Sequence, residues 1–299
     1  MPRLSKLEHA VRMQHRLTPR DWRLLGWLYD HQLLTTDQIA DGLFPNVHAA
    51  QARLRTLTEY GLLLRFQPYR LQGGNFPYHY VLDHLGALII AASRAKPPPR
   101  LGQSEVRIQR IVSSRNTDHR LGINGFFTQL AKYERLHDGA TLHRWWPDDR
   151  LRWFTPPGTA MLVMVQADGL GVWSEDGRAV AFYLEYDTGT ESLPMLVDKV
   201  ARFDTLEEGR WPVLFSLPST VREANLHQRL ATLKHRIPVA TIGRDRLDGA
   251  NPAEAVWQLH RAASPLLRLA ELPVRSPVDL EVFAAEERGQ YSLPPRDKR

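Results

Sequence analysis

The sequence predicts an α+β protein of two domains, and three observations carry that expectation. Three amphipathic helical segments precede two short strands within the first hundred residues. The stretch KPPPRLGQ, residues 96–103, then resists both helix and sheet, because consecutive prolines fix φ and remove backbone donors. Beyond it the patterned segments read αβββαβαβ, the order of a mixed sheet covered by helices on both faces. The 299 residues, 43% of them hydrophobic, are enough for two ordinary cores. The expected boundaries are a first domain over 1–95, a linker over 96–104, a second domain over 105–270 and a polar tail over 271–299.

Composition narrows the chemistry. There is no cysteine, which excludes disulfides, zinc-thiolate sites and cysteine nucleophiles, so any metal must be held by oxygen or imidazole. Residues 1–100 carry 13 Lys and Arg against 7 Asp and Glu, while residues 101–299 carry 26 of each. The whole excess of positive charge therefore sits in the first third, which points to an anionic partner there, with nucleic acid the common choice. The other reading of the same excess is a solvated basic face. No segment approaches the ~20 apolar residues of a membrane span, and MPRLSKLEHAVRM lacks the apolar region of a signal peptide. A cytoplasmic protein without a membrane partner is expected.

In the first domain, Thr18 as N-cap and Pro19 at the first helical position open a helix over about residues 19 to 31. Thr36 can cap a short second helix, with Ile39, Ala40 and Leu43 inward. A third helix, VHAAQARLRTLTEYG, carries the apolar stripe Val47, Ala50, Leu54 and Leu57 and ends at Gly61. Its opposite face presents His48, Gln51, Arg55 and Thr58, with Arg53 at the side; these side chains reach base edges and phosphates. LLLRFQPY and PYHYVLD read as two strands joined at Gly73-Gly74, with Arg70 and Gln72 at the tip. HLGALIIAASR, from His84, is a further apolar helix that can pack in the core or on the partner of a homodimer.

In the second domain, a helix through HRLGINGFFTQLAKYERLHDG is followed by a strand near ATLHRWW. A hairpin comes next, with MLVMVQADGLGVW and AVAFYLEYD flanking the turn SEDGR. The helix LPMLVDKVARFDTL, the strand PVLFSL, the helix TVREANLHQRLATL and the strand PVATIG follow, and AEAVWQLHRAA reads as a last helix. Glu185 and Asp187, two apart on a strand, project from one face. Asp168 comes from the adjacent strand, so three carboxylates and Lys199 of the next helix can converge on one pocket. The same residues also read as plain turn chemistry, with Asp187-Thr188-Gly189 and Asp168-Gly169 as turns and Lys199 solvated.

Several segments resemble known families. Three helices and a two-stranded wing outline a winged helix-turn-helix, and NVHAAQARLRTLTEYGLLLRF resembles the recognition helix and the start of the wing. That resemblance implies double-stranded DNA as partner, with the third helix in the major groove; a winged helix that makes only protein contacts is the alternative. The order Asp168, hairpin, Glu185 resembles the PD-(D/E)xK nucleases, in which the Asp and Glu bind Mg²⁺ and a lysine activates water. Here Ala167 replaces the proline, Asp187 stands at the lysine position, and the leading helix offers His119 and Asn124 where a glutamate is common; Lys199 would supply a migrated lysine.

Over nearly the whole chain, HRLGINGFFTQL, ADGLGVW, FYLEYDTGT and DKVARFD, together with the winged helix, resemble the replication-relaxation family of plasmids and integrative elements. The resemblance implies an α+β protein with an N-terminal winged helix-turn-helix and a mixed-sheet α/β PD-(D/E)xK-like domain. It further implies a DNA-binding role in initiation of replication or in conjugative transfer, alongside replication or transfer proteins. Mg²⁺ or Mn²⁺ on Asp168 and Glu185, with Asp187 and Lys199 beside them, would then make a DNA endonuclease that nicks. The competing reading is a regulator or accessory factor with a nuclease-like scaffold. No GxxxxGK[ST] or helix-opening GxGxxG run is present, so no nucleotide cofactor is expected. No His-x-His pair supports a tyrosine relaxase, and Tyr78, His79 and Tyr80 fit strand packing.

Overall fold

The computed structural model describes residues 13–68, 76–147, 167–205, 211–262, 265–274, 277–278 and 280–281. Arg70, with Gln72 and the Gly73-Gly74 turn, lies outside the described residues, as do Met161 to Gln166 and most of the polar tail. The fold is α+β, and the chain divides into two compact units, Met1–Lys132 and Tyr133–Arg299.

The first unit begins with α1, Pro19–His31. Thr18 and Asp21 form a reciprocal capping box at its start, and Gln32 closes its end. A strand β1, Leu34–Thr35, precedes α2, Thr36–Leu43. The cap of α2 is Thr35, one residue before the expected Thr36, because Gln38 completes a second capping box back to it. In α3, Val47–Glu59, Asn46 caps the first turn, and Ala50, Leu54 and Leu57 are buried. β2, Leu63–Phe66, and β3, His79–Leu82, pair antiparallel, and β1 adds to β3, giving a three-stranded sheet in the order β1-β3-β2. Both β1 residues pair with the second strand of the hairpin, Leu34 with Tyr80 and Thr35 with His79.

This unit continues past the proline run, beyond the boundary expected at 96–104. After α4, His84–Ser93, come α5, Leu101–Val112, and α6, Thr117–Leu136. Ile111 of α5 packs with Leu33 and Val81 of the first hundred residues, with Ile108 and Leu121 against them. Arg107 donates to the carbonyls of Leu28 and Tyr29 at 3.0 and 2.8 Å, adding a cationic donor at the C-terminal end of α1. His84 Nδ1 meets Ser104 Oγ at 2.9 Å. From α6, Gln129 Nε2 donates to Asp41 at 2.8 Å and Lys132 pairs with the same carboxylate at 2.9 Å.

The second unit is a six-stranded mixed sheet in the order β4-β5-β6-β7-β8-β9. The strands are β4, Ala140–Pro147; β5, Gly169–Glu175; β6, Arg178–Tyr186; β7, Val213–Leu217; β8, Val239–Gly243; and β9, Gln258–Leu259. β4 to β6 are antiparallel neighbours, β6, β7 and β8 run parallel, and β9 returns antiparallel. Asp176 and Gly177, both at positive φ, make the two-residue turn between β5 and β6, the chemistry that a tight hairpin requires. Gly171 sits opposite Phe182 in register, and a Cβ there would lie 2.1 Å from Phe182 Cζ, so the ring occupies the space of a side chain.

The parallel crossovers are α7, Leu193–Asp204, and α8, Thr220–Leu230. Leu196, Val200 and Phe203 of α7 and Leu226 and Leu230 of α8 share one core cluster with Leu170, Val172, Tyr183, Val213, Phe215 and Val239. Both helices therefore cover the same face of the sheet.

AEAVWQLHRAA is not the helix that its composition suggests. Gln258 and Leu259 pair instead with Thr241 and Ala240 as the edge strand β9. The Trp257 ring is fully buried, its Nε1 donating to Pro252 O at 2.7 Å. Closing a sheet edge and burying one large ring outweigh the modest helix propensity of the segment.

Candidate functional site

The acid cluster lies where β6 ends. Tyr183 faces the helix-bearing side of the sheet and pairs in register with Val213, while Glu185 pairs with Phe215. Period two therefore places Glu185 on that same side, beneath α7. Lys199, in the middle of α7, reaches down to it, with Nζ 2.7 Å from Glu185 Oε2 and 3.0 Å from Glu191 Oε2. Glu185 is 2% exposed, and its Oε1 is buried without a hydrogen-bond partner. Burial, reinforced by the charge of Asp168, pushes the Glu185 carboxyl up to about 8 against the pull of Lys199. Burial alone would depress the ammonium of Lys199, but Glu185 and Glu191 outweigh it and hold its pKa above the ordinary lysine value.

Asp168 stands just before β5, beside the end of β6. Its amide donates to Leu184 O at 3.0 Å, and its Oδ2 accepts from the Tyr186 amide at 2.7 Å. The hairpin thus brings Asp168 and Glu185 together, and Lys199 joins them.

Asp187 belongs to a different set of contacts. Its carboxylate is gripped by the Arg222 guanidinium through Nε and Nη2, and its Oδ1 accepts from the Gly189 amide at 2.8 Å. Arg222 Nη2 also donates to Glu191 O at 2.5 Å. Asp187 is therefore paired with Arg222 and not with Lys199, and serves as the anchor of the loop 187–191, which delivers Glu191 to Lys199. Arg244 closes the other side, donating to Asp187 O at 2.8 Å and Ser216 O at 2.5 Å while its guanidinium lies 4.2 Å from the Tyr186 ring centroid. Glu191, Arg222 and Arg244 were not singled out by the sequence. The only signal for Glu191 is its position at the end of the loop after the strand, and the two arginines come from elements 31 and more residues downstream.

The donor set suits a hard cation. Two carboxylates from adjacent strands, one with a buried oxygen that has no partner, fit Mg²⁺ or Mn²⁺ with water completing the shell. Among the described residues no group of three or more His, Asp or Glu side chains is arranged to hold a metal.

In the first unit, His48, Gln51 and Arg55 of α3 are exposed on one face. Arg53 is not available in the same way. Its Nε and Nη2 bond Asp21 Oδ1 and Oδ2 at 2.9 and 2.5 Å, and Nη2 also reaches Arg16 O at 3.2 Å. Asp21 is 1% exposed; burial would raise its pKa, but Arg53 and Thr18 outweigh burial and hold it below the ordinary value.

Asn124 is likewise engaged inside the first unit, its Nδ2 donating to Leu33 O at 2.6 Å and His31 O at 3.4 Å. It fastens α6 to the end of α1. His119 lies five residues earlier on the same helix.

No helix among the described residues is long and apolar enough to cross a membrane. No curated protein and no solved structure matches the chain. A family model described as replication-relaxation matches residues 25–212, a span that runs from α1 through the acid cluster and α7. That is more than half of the chain, and the protein belongs to the replication-relaxation family.

Proposed function

We propose that this is a DNA-binding protein of plasmid or mobile-element replication or transfer, and that its second unit nicks DNA by metal-assisted hydrolysis. The observation that carries the hydrolytic part is Glu185, buried beside Asp168 with one oxygen on Lys199 and the other without a partner. Lys199 compensates one oxygen, and a buried polar atom left without a partner is costly, so a second cation on the other oxygen would stabilise the group. Asp168 and Glu185 would hold Mg²⁺ or Mn²⁺, which supplies Lewis-acid stabilisation of a phosphodiester and a more acidic water. Lys199 sets its ammonium between Glu185 and Glu191, where it can orient the nucleophile or offset charge on the phosphoryl oxygens. Arg222 and Arg244 hold the loop that positions Glu191.

The DNA-binding part rests on α3. Three helices with the sheet β1-β3-β2 support the reading of this unit as a winged helix-turn-helix, in which the exposed His48, Gln51 and Arg55 would read the major groove. A non-catalytic regulator is the second reading. It is favoured by Lys199, which already compensates Glu185, and by Asp187, which is committed to Arg222.

The deciding experiment is cleavage of supercoiled plasmid in Mg²⁺ or Mn²⁺ by the wild type, Glu185→Ala and Asp168→Ala, with DNA binding followed in parallel. Nicking that disappears in both variants while binding persists supports the hydrolytic reading. A wild type that binds and never cuts, even on plasmid carrying its own element's origin, leaves the regulator.

A further inference from the structure

The acid cluster occupies the ends of the parallel strands; among the described residues, basic side chains gather at the opposite end of the same sheet. α8 runs back along the sheet, with Arg222 in its first turn beside Asp187 and Arg229 in its last. The chain then passes through residues 231–237 into the start of β8. His260, just past β9, is bonded there through its amide to Val239 O at 2.8 Å. Arg261 Nη2 donates to Leu233 O at 2.7 Å, and the His260 ring stacks on His235 with centroids 5.4 Å apart. These contacts gather Arg229, Lys234, Arg236 and Arg261, all exposed, around one corner of the unit.

The sequence from 227 to 236 and at 260–261 contains no Asp or Glu, although residues 101–299 as a whole are charge-balanced. Among the described residues no carboxylate pairs with the side chains of Arg229, Lys234 or Arg236. Among the described residues Asp204 lies beside this corner, and its Oδ1 accepts the backbone amides of Arg236 and Ile237, both at 2.7 Å. A groove of about 720 Å³ between α7 and α8 leads from Leu193 and Pro194, which follow the acid-bearing loop, to Arg229 and Thr232, with Asp198 on its wall.

We infer that Arg229, Lys234, Arg236 and Arg261 form a second DNA-contact surface, in the C-terminal unit, that binds the phosphodiester backbone. The surface rests on the DNA-binding reading above and extends it. It lies beyond the span 25–212 that matches the family. A polyanion is favoured over an acidic protein because a protein interface is anchored by buried aromatic or aliphatic side chains. None of the exposed large hydrophobic side chains of the described residues falls within 227–236 or 260–262. Contacts of this kind fix register on the duplex and carry no sequence information.

The test is DNA binding by the full chain on duplexes of two unrelated sequences, titrated across salt. Three proteins are compared: wild type, Arg229→Gln/Lys234→Gln/Arg236→Gln, and His48→Ala/Gln51→Ala/Arg55→Ala. Arg261 is left in place because it supports the backbone at Leu233, and thermal melts establish that each variant is folded. The Gln variant should weaken binding to both duplexes alike. Its plot of log affinity against log salt should be shallower by about 0.9 for each phosphate that it no longer neutralises, hence by roughly 2 to 3 in all. A folded Gln variant with wild-type affinity and slope overturns the surface while leaving the α3 reading intact. A wild type that binds neither duplex overturns the DNA-binding reading and the surface with it.

Discussion

Arg53 grips Asp21 with two nitrogens, Nε on Oδ1 at 2.9 Å and Nη2 on Oδ2 at 2.5 Å, so a side chain placed to seek phosphate instead ties α3 to the start of α1. The Asp21 carboxylate is buried and also receives the Thr18 amide and hydroxyl, both at 2.7 Å. Removing its cation leaves a buried charge with only neutral donors. Arg53→Ala should therefore cost on the order of 3 kcal/mol in denaturant unfolding, the lower end for a buried pair broken at one partner. Arg55→Ala, on the exposed face of the same helix, should leave the unfolding midpoint unchanged and weaken DNA binding. The reverse pattern would remove α3 from the DNA interface.

Divalent cation should raise the melting temperature of the wild type, since a ligand that binds only the folded state stabilises it by RT ln(1 + [L]/Kd). In Glu185→Gln and Asp168→Ala the rise should disappear. Mn²⁺ that stabilises all three proteins equally would place the ion elsewhere, and Mn²⁺ without effect on the wild type would count against the paired carboxylates.

Acid sensitivity should come in part from the histidines beside β9. His260 is lowered to about 4 by burial and by His227, His235 and Arg261, while the unfolded chain protonates near the ordinary value of 6.5. As pH falls below about 6.5 the unfolded state takes up a proton that the folded state refuses. Stability is thus lost between about pH 6.5 and 4, and a group of this kind contributes no further slope below the folded pKa. His260→Gln should flatten the unfolding profile in that window relative to wild type, and an unchanged difference between pH 7 and 5 would contradict the assignment.

Gly171→Val should unfold the β5–β6 hairpin or displace Phe182, because the ring fills the space of the new side chain. The expected loss is about 1–3 kcal/mol, typical of an overpacked core, read from thermal melts. Gly171→Val paired with Phe182→Ala should recover part of it. No recovery would mean that the glycine is required for its backbone and not for its neighbour.

Much of the fold is legible along the chain because it depends on local chemistry. Thr18 with Pro19, Asn46 before Val47, the Ala50, Leu54 and Leu57 stripe and the Asp176-Gly177 turn each declare an element within one turn of helix or strand. The pairing of Asp168 with Glu185 is legible for the same reason, since a tight hairpin fixes its register and period two fixes the face. Other relationships depend on partners distant in sequence. Asp187 is bound by Arg222, 35 residues on, and Asn124 by carbonyls 91 and 93 residues back. Arg107 and Ile111 carry the first unit past its prolines, and β8 draws Gln258 and Leu259 out of a helical pattern into a sheet edge.

The sequence by itself determined the α+β order of elements, the absence of thiol chemistry and the candidate carboxylates, all of which follow from composition and short-range periodicity. Only the tertiary structure decided which charges are already spent on one another. An ion pair such as Arg53 with Asp21 or Arg222 with Asp187 forms where packing brings its partners within 4 Å, and residue type and spacing do not encode that distance.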